Sequence, residues 1–576
     1  MRPATSFQGS GRVGPRTLPM EAFQVEFRPY AASWAVLASV LTVACGDAHT
    51  TAGILIRGAT VVDGSGQPGY VADVAITGDR VVHVGPDGPP ARDTVEAAGL
   101  MVAPGFVDVH SHTPPALMEA ERRLNEGVVR QGVTTVVGGP DGGFSPSHIR
   151  QLTEAFESQG IGTNVAFYVG HNAIRNEVMV EDQQRAPTEQ ELDEMKALVR
   201  EGMALGALGL STGLMYEPGM FSETDEVVAL AQEVAPFGGI YDSHVRNPVH
   251  DLLGSDREVI QVAESADITG KIGHLKAVGL HNEGAIRQVI DLVEEARARG
   301  VDIVSDQYPY DGAATASLTD IIVVPPQLET LAETVNDEPQ SVSPRFMEAL
   351  RTALANPRER ELLKVASENG VAGGFAWLKA TGYGSMRITS STDFPELVGS
   401  YLSEIAETRD LDPFDAVAEL ILSAEDPVNL TLGAIKEHDV RELLVQPWNM
   451  IASDGGYADG SESGEGHPRS AGTFPRLLGH YVRQEGVLSI EEAVRKITSL
   501  PASSVGLAGR GLLEVGAFAD VVVFDPETII DRSDWDHPNR FAEGVVHVYV
   551  NGTAVLQDGN ITGQAPGAVL SREGGD

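Results

Sequence analysis

The chain has 576 residues, 42% of them apolar and 21% charged, with 63 Gly and 33 Pro; this describes a folded globular protein with many tight connections and excludes extensive disorder. Its 41 basic against 82 acidic residues give a formal charge of −41, a field that repels phosphate backbones and excludes nucleic acid as a natural partner. The length exceeds one ordinary core but suits a large barrel with an accessory domain.

In chain order, Ala31 to Ala44 comes first as an apolar, uncharged run. It is too short for a bilayer span, which takes about 20 apolar residues, and has the length of a signal-peptide core. The run ends at Cys45, the single cysteine, so no internal disulfide can form. TVACGD around Cys45 resembles a lipoprotein cleavage box. Residues 1–45 therefore read as an export segment, with a lipid anchor at Cys45 and a periplasmic or cell-envelope location.

Residues 50–103 alternate apolar and polar positions between Gly, Pro and Asp, the pattern of short antiparallel strands, and the same texture returns from about 511 to 570. The fold expected is α/β: a small β-sandwich domain from both chain ends, 50–103 plus 486–576, enclosing a (β/α)8 TIM-like barrel over 104–485. Strand-like runs ending at Val109, Val137, Val169, Ser211, Ser243, His274, Gln307 and Ser453 alternate with helical patterns at intervals of about thirty residues, the length of a βα unit. Helices are expected over Glu189–Leu205, Asp225–Val234, Arg257–Ala266 and Glu283–Arg299. The interval from Gln307 to Ser453 is too long for one connection, so it predicts an insertion at about 313–390, followed by helices from Phe394 and Pro413. Insertions at this face of a barrel serve as lids or substrate walls.

The chemistry sits at the strand ends. APGFVDVHSH places His110 and His112 two residues apart, on one face of the first strand and able to converge on one ion. His244 closes GGIYDSH, His274 closes GKIGH, and Asp454 follows NMIAS. These positions meet at the C-terminal mouth, where barrels gather their active sites. Lys276, two residues beyond His274, points to the same side. His148, His281, His438 and His547 lack such context and read as structural or surface groups.

The ordered motifs GFVDVHSH, GVTTVV, GHNAIR, GALGLSTGLMYEPG, SHVRN, GHLK, DQYPY, ASDGG and HPRSAGTFPR resemble the N-acyl-D-amino-acid deacylase family of the amidohydrolase superfamily, over about residues 52 to 570. The resemblance implies an enzyme that hydrolyses linear amides of N-acyl-D-amino acids. It implies His244 and His274 as ligands of a tightly held metal, His110 and His112 as ligands of a weaker neighbouring position, and Asp454 as the catalytic carboxylate. Where the family has a metal-binding cysteine after GVTTVV, this chain reads GGPDGG and offers Asp141. Zinc remains the expected ion, in one or two copies, and a carboxylate in place of a thiolate admits manganese or cobalt. Arg469, Lys276, Tyr216 and Tyr310 match positions that hold the substrate carboxylate, and His171 in GHNAIR is expected to order the site.

The mechanism expected is attack on the amide carbonyl by ion-activated water, with Asp454 as general base and then acid. Two rival readings use the same barrel: a dipeptidase acting on D-residue peptides, and a cyclic-amide hydrolase of the hydantoinase type. The latter bridges two metals with a carboxylated strand-end lysine, which the run GALGLST lacks. The partner in every case is a small-molecule substrate, and the sequence leaves the oligomeric state open.

Overall fold

The computed structural model describes residues 51–332, 334, 343–371, 376–462 and 466–572. The export segment, 1–45, lies outside the described residues. Among those described, no helix is long and apolar enough to cross a membrane.

The barrel strands are, in order, Phe106–Asp108, Val133–Gly138, a third strand broken into Asn164–Phe167 and Val169–Gly170, Gly209–Gly213, Ile240–His244, Gly270–Ile272, Ile303–Gln307 and Asn449–Ile451. Within each run neighbours pair in parallel, and a parallel bridge from Ser111 to Gly455 joins the last strand to the first. Each strand end expected from the sequence falls within two residues of an observed one. The strands are buried along their whole length, as parallel strands covered on both faces must be.

The outer helices follow their apolar stripes. Ile286–Ala298 buries Ile286, Val289, Ile290, Val293 and Ala296, at the spacing of one helical face. Glu189–Ala204 begins at a capping box, with the Glu191 amide donating to Thr188 Oγ1 and the Thr188 amide donating to the Glu191 carboxylate. The helix expected from Arg257 starts earlier, at Leu252, because Asp251 accepts the Gly254 amide and caps it.

Strands from both chain ends join in one nine-stranded sheet. Met101–Pro104 lies antiparallel beside Val521–Phe524 and leads directly into the first barrel strand. This sheet has its own core, including Ile56, Val74, Val102, Val521 and Val523. At its seam with the barrel, buried Asp520 accepts from Asn164 Nδ2 at 3.2 Å and from the Asn551 amide at 2.8 Å and pairs with Arg510. The foot of the third strand is thereby locked to the sheet, at the face of a barrel that serves stability. Helices Ile490–Ile497 and Ser499–Val505, which the sequence grouped with the terminal domain at 486–576, contact the first and eighth barrel strands.

Between the seventh and eighth strands, Ala314–Ser317, Met386–Ser390 and Asn429–Leu432 form a separate antiparallel sheet. Its core, with Phe346, Leu350, Ile388, Phe414 and Leu430, is distinct from that of the barrel. The inserted segment therefore runs on to Leu432 rather than to about 390. Helices Leu402–Arg409 and Pro413–Ser423 belong to it, because the strand that completes its sheet follows them.

Candidate functional site

The C-terminal ends of the strands converge on Asp141. This residue stands at φ 57° in the turn after the second strand, between Gly139 at φ 78° and Gly142 at φ 77°. The turn is pinned from two sides. Ser211 Oγ donates to the Gly139 carbonyl at 2.6 Å and accepts the Gly142 amide at 3.1 Å. A Cβ on Gly142 would meet Asn172 Oδ1 at 2.2 Å, so glycine is required there. His274 and Asp454 also hold left-handed conformations, at φ 34° and 48°, and such non-glycine positions cluster at functional sites.

Around Asp141 Oδ1 lie His110 Nε2 at 3.5 Å, His274 Nε2 at 3.6 Å and His244 Nδ1 at 3.7 Å, while His112 Nε2 is 3.5 Å from Oδ2. Asp454 Oδ1 lies 3.4 Å from His110 Nε2 and 3.1 Å from His112 Nε2. Asp141 Oδ1, both ring nitrogens of His110 and His244 Nδ1 are buried without a hydrogen-bond partner in the protein. Buried polar atoms are ordinarily satisfied; here Asp141 Oδ1 and His110 Nε2 face one small volume, in which side-chain atoms of His110, Asp141, His274 and Asp454 all lie within 4.8 Å of one another, while His110 Nδ1 faces Asp306. The donor set of imidazoles and carboxylates fits a divalent ion.

The electrostatics agree. Burial opposes ionisation of Asp454, yet Arg469, with its Nη1 2.7 Å from Oδ2, and the neighbouring imidazoles hold the carboxyl well below the usual range. Burial likewise opposes the charge on Asp141, and His110 with the other imidazoles overcomes it. Burial, then Lys276 and His244, lowers His274 to about 3 and keeps its imidazole neutral. His110 is raised to about 9, because Asp141, Asp306 and Asp454 outweigh its burial. Three carboxylates there demand positive charge, and a bound cation meets the same demand.

Beneath these groups is a charged layer that the sequence reading missed. Lys271, on the sixth strand and fully buried, forms an ion pair with Asp242 Oδ1 at 2.7 Å and donates to Asp306 Oδ2. Asp306 Oδ1 accepts the His274 amide at 2.7 Å, and its Oδ2 lies 3.8 Å from His110 Nδ1. Asp108 accepts the Ser453 amide at 2.9 Å and, more weakly, the His110 amide at 3.4 Å. These contacts tie the fifth, sixth and seventh strands to one another and the first to the eighth, beneath the ends that His110, His274 and Asp454 follow. Outer-sphere carboxylates of this kind orient metal-binding histidines.

A cavity of about 490 Å³ opens onto the cluster, lined by His112, Asp141, His244, His274 and Asp454 together with Tyr216, Lys276 and Arg469. Tyr216 lies against the His244 ring, centroids 4.5 Å apart. Lys276 donates to the His274 carbonyl at 2.9 Å; burial lowers its ammonium to about 8, leaving it mostly charged at neutral pH. Tyr310 is not in this lining. Its hydroxyl faces Asp531 Oδ2 at 3.4 Å and its ring lies under Arg476. The tyrosine at the cations is Tyr308, whose ring lies 4.7 Å from the Arg469 guanidinium and 5.1 Å from Lys276 Nζ. The chain turns tightly here, with the Tyr310 amide donating to the Tyr308 carbonyl, so the alternation of the strand ends at Gln307. His171 stays off the cluster and pairs with Glu226 at 2.9 Å beside Arg175. It opens the helix whose next residue, Asn172, props the Asp141 turn through Gly213 and Gly142.

Known proteins resemble this chain over most of its length. Residues 93–236 and 415–556 match the amidohydrolase family. The chain is 34% identical to a D-aminoacylase of Alcaligenes xylosoxydans xylosoxydans over 90% of its length and 97% of that protein. It is 33% identical to an N-acyl-D-glutamate deacylase of the same organism, over 90% of this chain and 96% of the relative. A crystal structure of D-aminoacylase superposes with a TM-score of 0.71 at 32% identity, covering 90% of this chain and all of that one. N-acyl-D-glutamate deacylase from Bordetella bronchiseptica, solved with zinc and a phosphonate mimic of the tetrahedral intermediate, gives 0.71 at 30% identity, with coverage of 90% and 100%. The chain belongs to the amidohydrolase family, within its group of N-acyl-D-amino-acid deacylases.

Proposed function

We propose that this chain hydrolyses the amide bond of N-acyl-D-amino acids, releasing a carboxylate and a free D-amino acid. The observation that carries the reading is the buried, unpaired Asp141 Oδ1 ringed by imidazoles, beside an ionised Asp454 and two cations. His110, His112, Asp141, His244 and His274 would hold a divalent ion, zinc by the character of the donors, with manganese or cobalt admitted by the carboxylate. When bound, that ion supplies Lewis acidity toward the carbonyl and lowers the pKa of water.

Lys276 and Arg469 hold the substrate carboxylate, the guanidinium by its planar fork and the ammonium as a point charge. The amide is thereby fixed over the ligand cluster, with Tyr216 along the cavity wall. Asp454 is aimed by Arg469 on Oδ2, which leaves Oδ1 facing the imidazoles. Oδ1 takes the proton of the attacking water and returns it to the departing nitrogen, and an ionised carboxylate is the state this first step requires.

The test is a panel of N-acetyl-D- and N-acetyl-L-amino acids, run after chelator treatment and again with zinc, manganese or cobalt. Turnover is expected only with D-substrates and only after reloading. Hydrolysis confined to L-substrates overturns the stereochemical reading, and undiminished turnover by stripped protein overturns the metal.

Export rests on the sequence alone, on the apolar run and TVACGD at Cys45. Under this reading, Cys45→Ala moves the protein from the membrane fraction to the soluble one; an unchanged distribution removes the lipid anchor.

A further inference from the structure

We infer that the cavity selects substrates with a single carboxylate and an apolar side chain, so that this chain acts on neutral N-acyl amino acids and rejects N-acyl-glutamate and N-acyl-aspartate. The inference rests on the deacylase reading and narrows it. Among the relatives, the aminoacylase and the glutamate and aspartate deacylases all match over about nine-tenths of this chain, so overall likeness does not choose between them. The lining of the cavity does.

Apart from the ligand cluster and Asp454, the charged lining residues are Lys276 and Arg469. Both approach the Tyr308 ring, so they form one cationic site rather than two. Arg469 is also partly neutralised by Asp454. One substrate carboxylate occupies this site.

The rest of the lining is Met215, Pro248, Val249, Val278, Ala313 and Trp377, besides Tyr216. A second carboxylate placed against these groups gives up water without gaining a charged partner, a large cost for an ionised group. It also meets the negative charge of Asp141 and Asp454. An apolar side chain at the same place is favoured by its burial.

Among the described residues, the cations of the adjoining cavity do not change this balance. Arg246 and Lys379 line an adjoining cavity, where Arg246 is held by both oxygens of Glu258 at 2.9 and 2.8 Å and Lys379 is exposed. Residues 333–342, 372–375 and 463–465 include neither lysine nor arginine. The inserted segment supplies Trp377, which packs against both the barrel core and the core of the insertion. A large ring held at that seam is a rigid wall for the side chain.

The experiment is kcat/KM of the metal-loaded protein for the N-acetyl derivatives of D-leucine, D-phenylalanine, D-alanine, D-glutamate and D-aspartate. Leucine and phenylalanine are expected to exceed the two acidic substrates by about 100-fold or more. Trp377→Ala is expected to raise KM for the phenylalanine derivative about 10-fold while changing the alanine derivative little. Glutamate within about 10-fold of leucine overturns the selection and leaves the deacylase reading standing. No turnover of any N-acyl-D-amino acid overturns both, and an unchanged KM for phenylalanine in Trp377→Ala removes that ring from the wall.

Discussion

Asp454→Asn is expected to keep its divalent ion and to lose about 10³ to 10⁴-fold in kcat, the scale of a positioned general acid and base. The substitution preserves shape, and an amide oxygen still meets Arg469, whose Nη1 lies 2.7 Å from Oδ2 in the native residue. What disappears is a group able to accept a proton at Oδ1, the oxygen facing His110 and His112 at 3.4 and 3.1 Å. Metal analysis of the purified variant, set beside its kcat, separates two roles. Normal metal with lost turnover identifies proton transfer; lost metal makes Asp454 a ligand first; activity within about 10-fold of native removes it from the proton path.

The second large effect is on stability. Lys271→Met is expected to destabilise the fold by about 3 to 5 kcal/mol, because it leaves buried carboxylates without their cation. Lys271 is the ammonium that contacts both Asp242 and Asp306, and all three side chains are almost completely shielded from water. The double variant Lys271→Met with Asp242→Asn carries one uncompensated charge fewer and is expected to recover part of the loss. Denaturant unfolding of the metal-free proteins measures the term directly. Because Asp306 also holds the His274 amide and faces His110 Nδ1, ion affinity is expected to fall about 10- to 100-fold. Equal affinities in native and variant proteins would show that the charged layer supports the barrel without shaping the ligands.

The strand ends were legible because a barrel writes its active site as polar residues at the close of apolar runs, and His110, His244, His274 and Asp454 all do so. Asp141 was legible only through a family motif, since a glycine-rich turn carries no periodicity. The Lys271, Asp242 and Asp306 layer escaped for a different reason. Each residue alone looks like one polar interruption within a strand, and the pairing that makes them a unit joins three separate strands. Tyr310 was assigned by motif resemblance alone, and the turn at Pro309 places the ring of Tyr308, rather than that of Tyr310, beside Arg469 and Lys276. The extent of the insertion was hidden by sheet order: Asn429–Leu432 is the middle strand of its sheet, yet the last to occur in the chain.

Ring closure between the first and eighth strands sets an order of assembly. His112 and Asp454 are separated by 342 positions, and the strand leading into the first histidines pairs with Val521–Phe524. A chain growing on the ribosome therefore exposes its first imidazoles long before their partners exist, and contacts of such sequence separation form late. A product terminated before Val521 would carry every donor residue and all eight barrel strands, yet lack the partner of Met101–Pro104, the strand that leads into the first histidines.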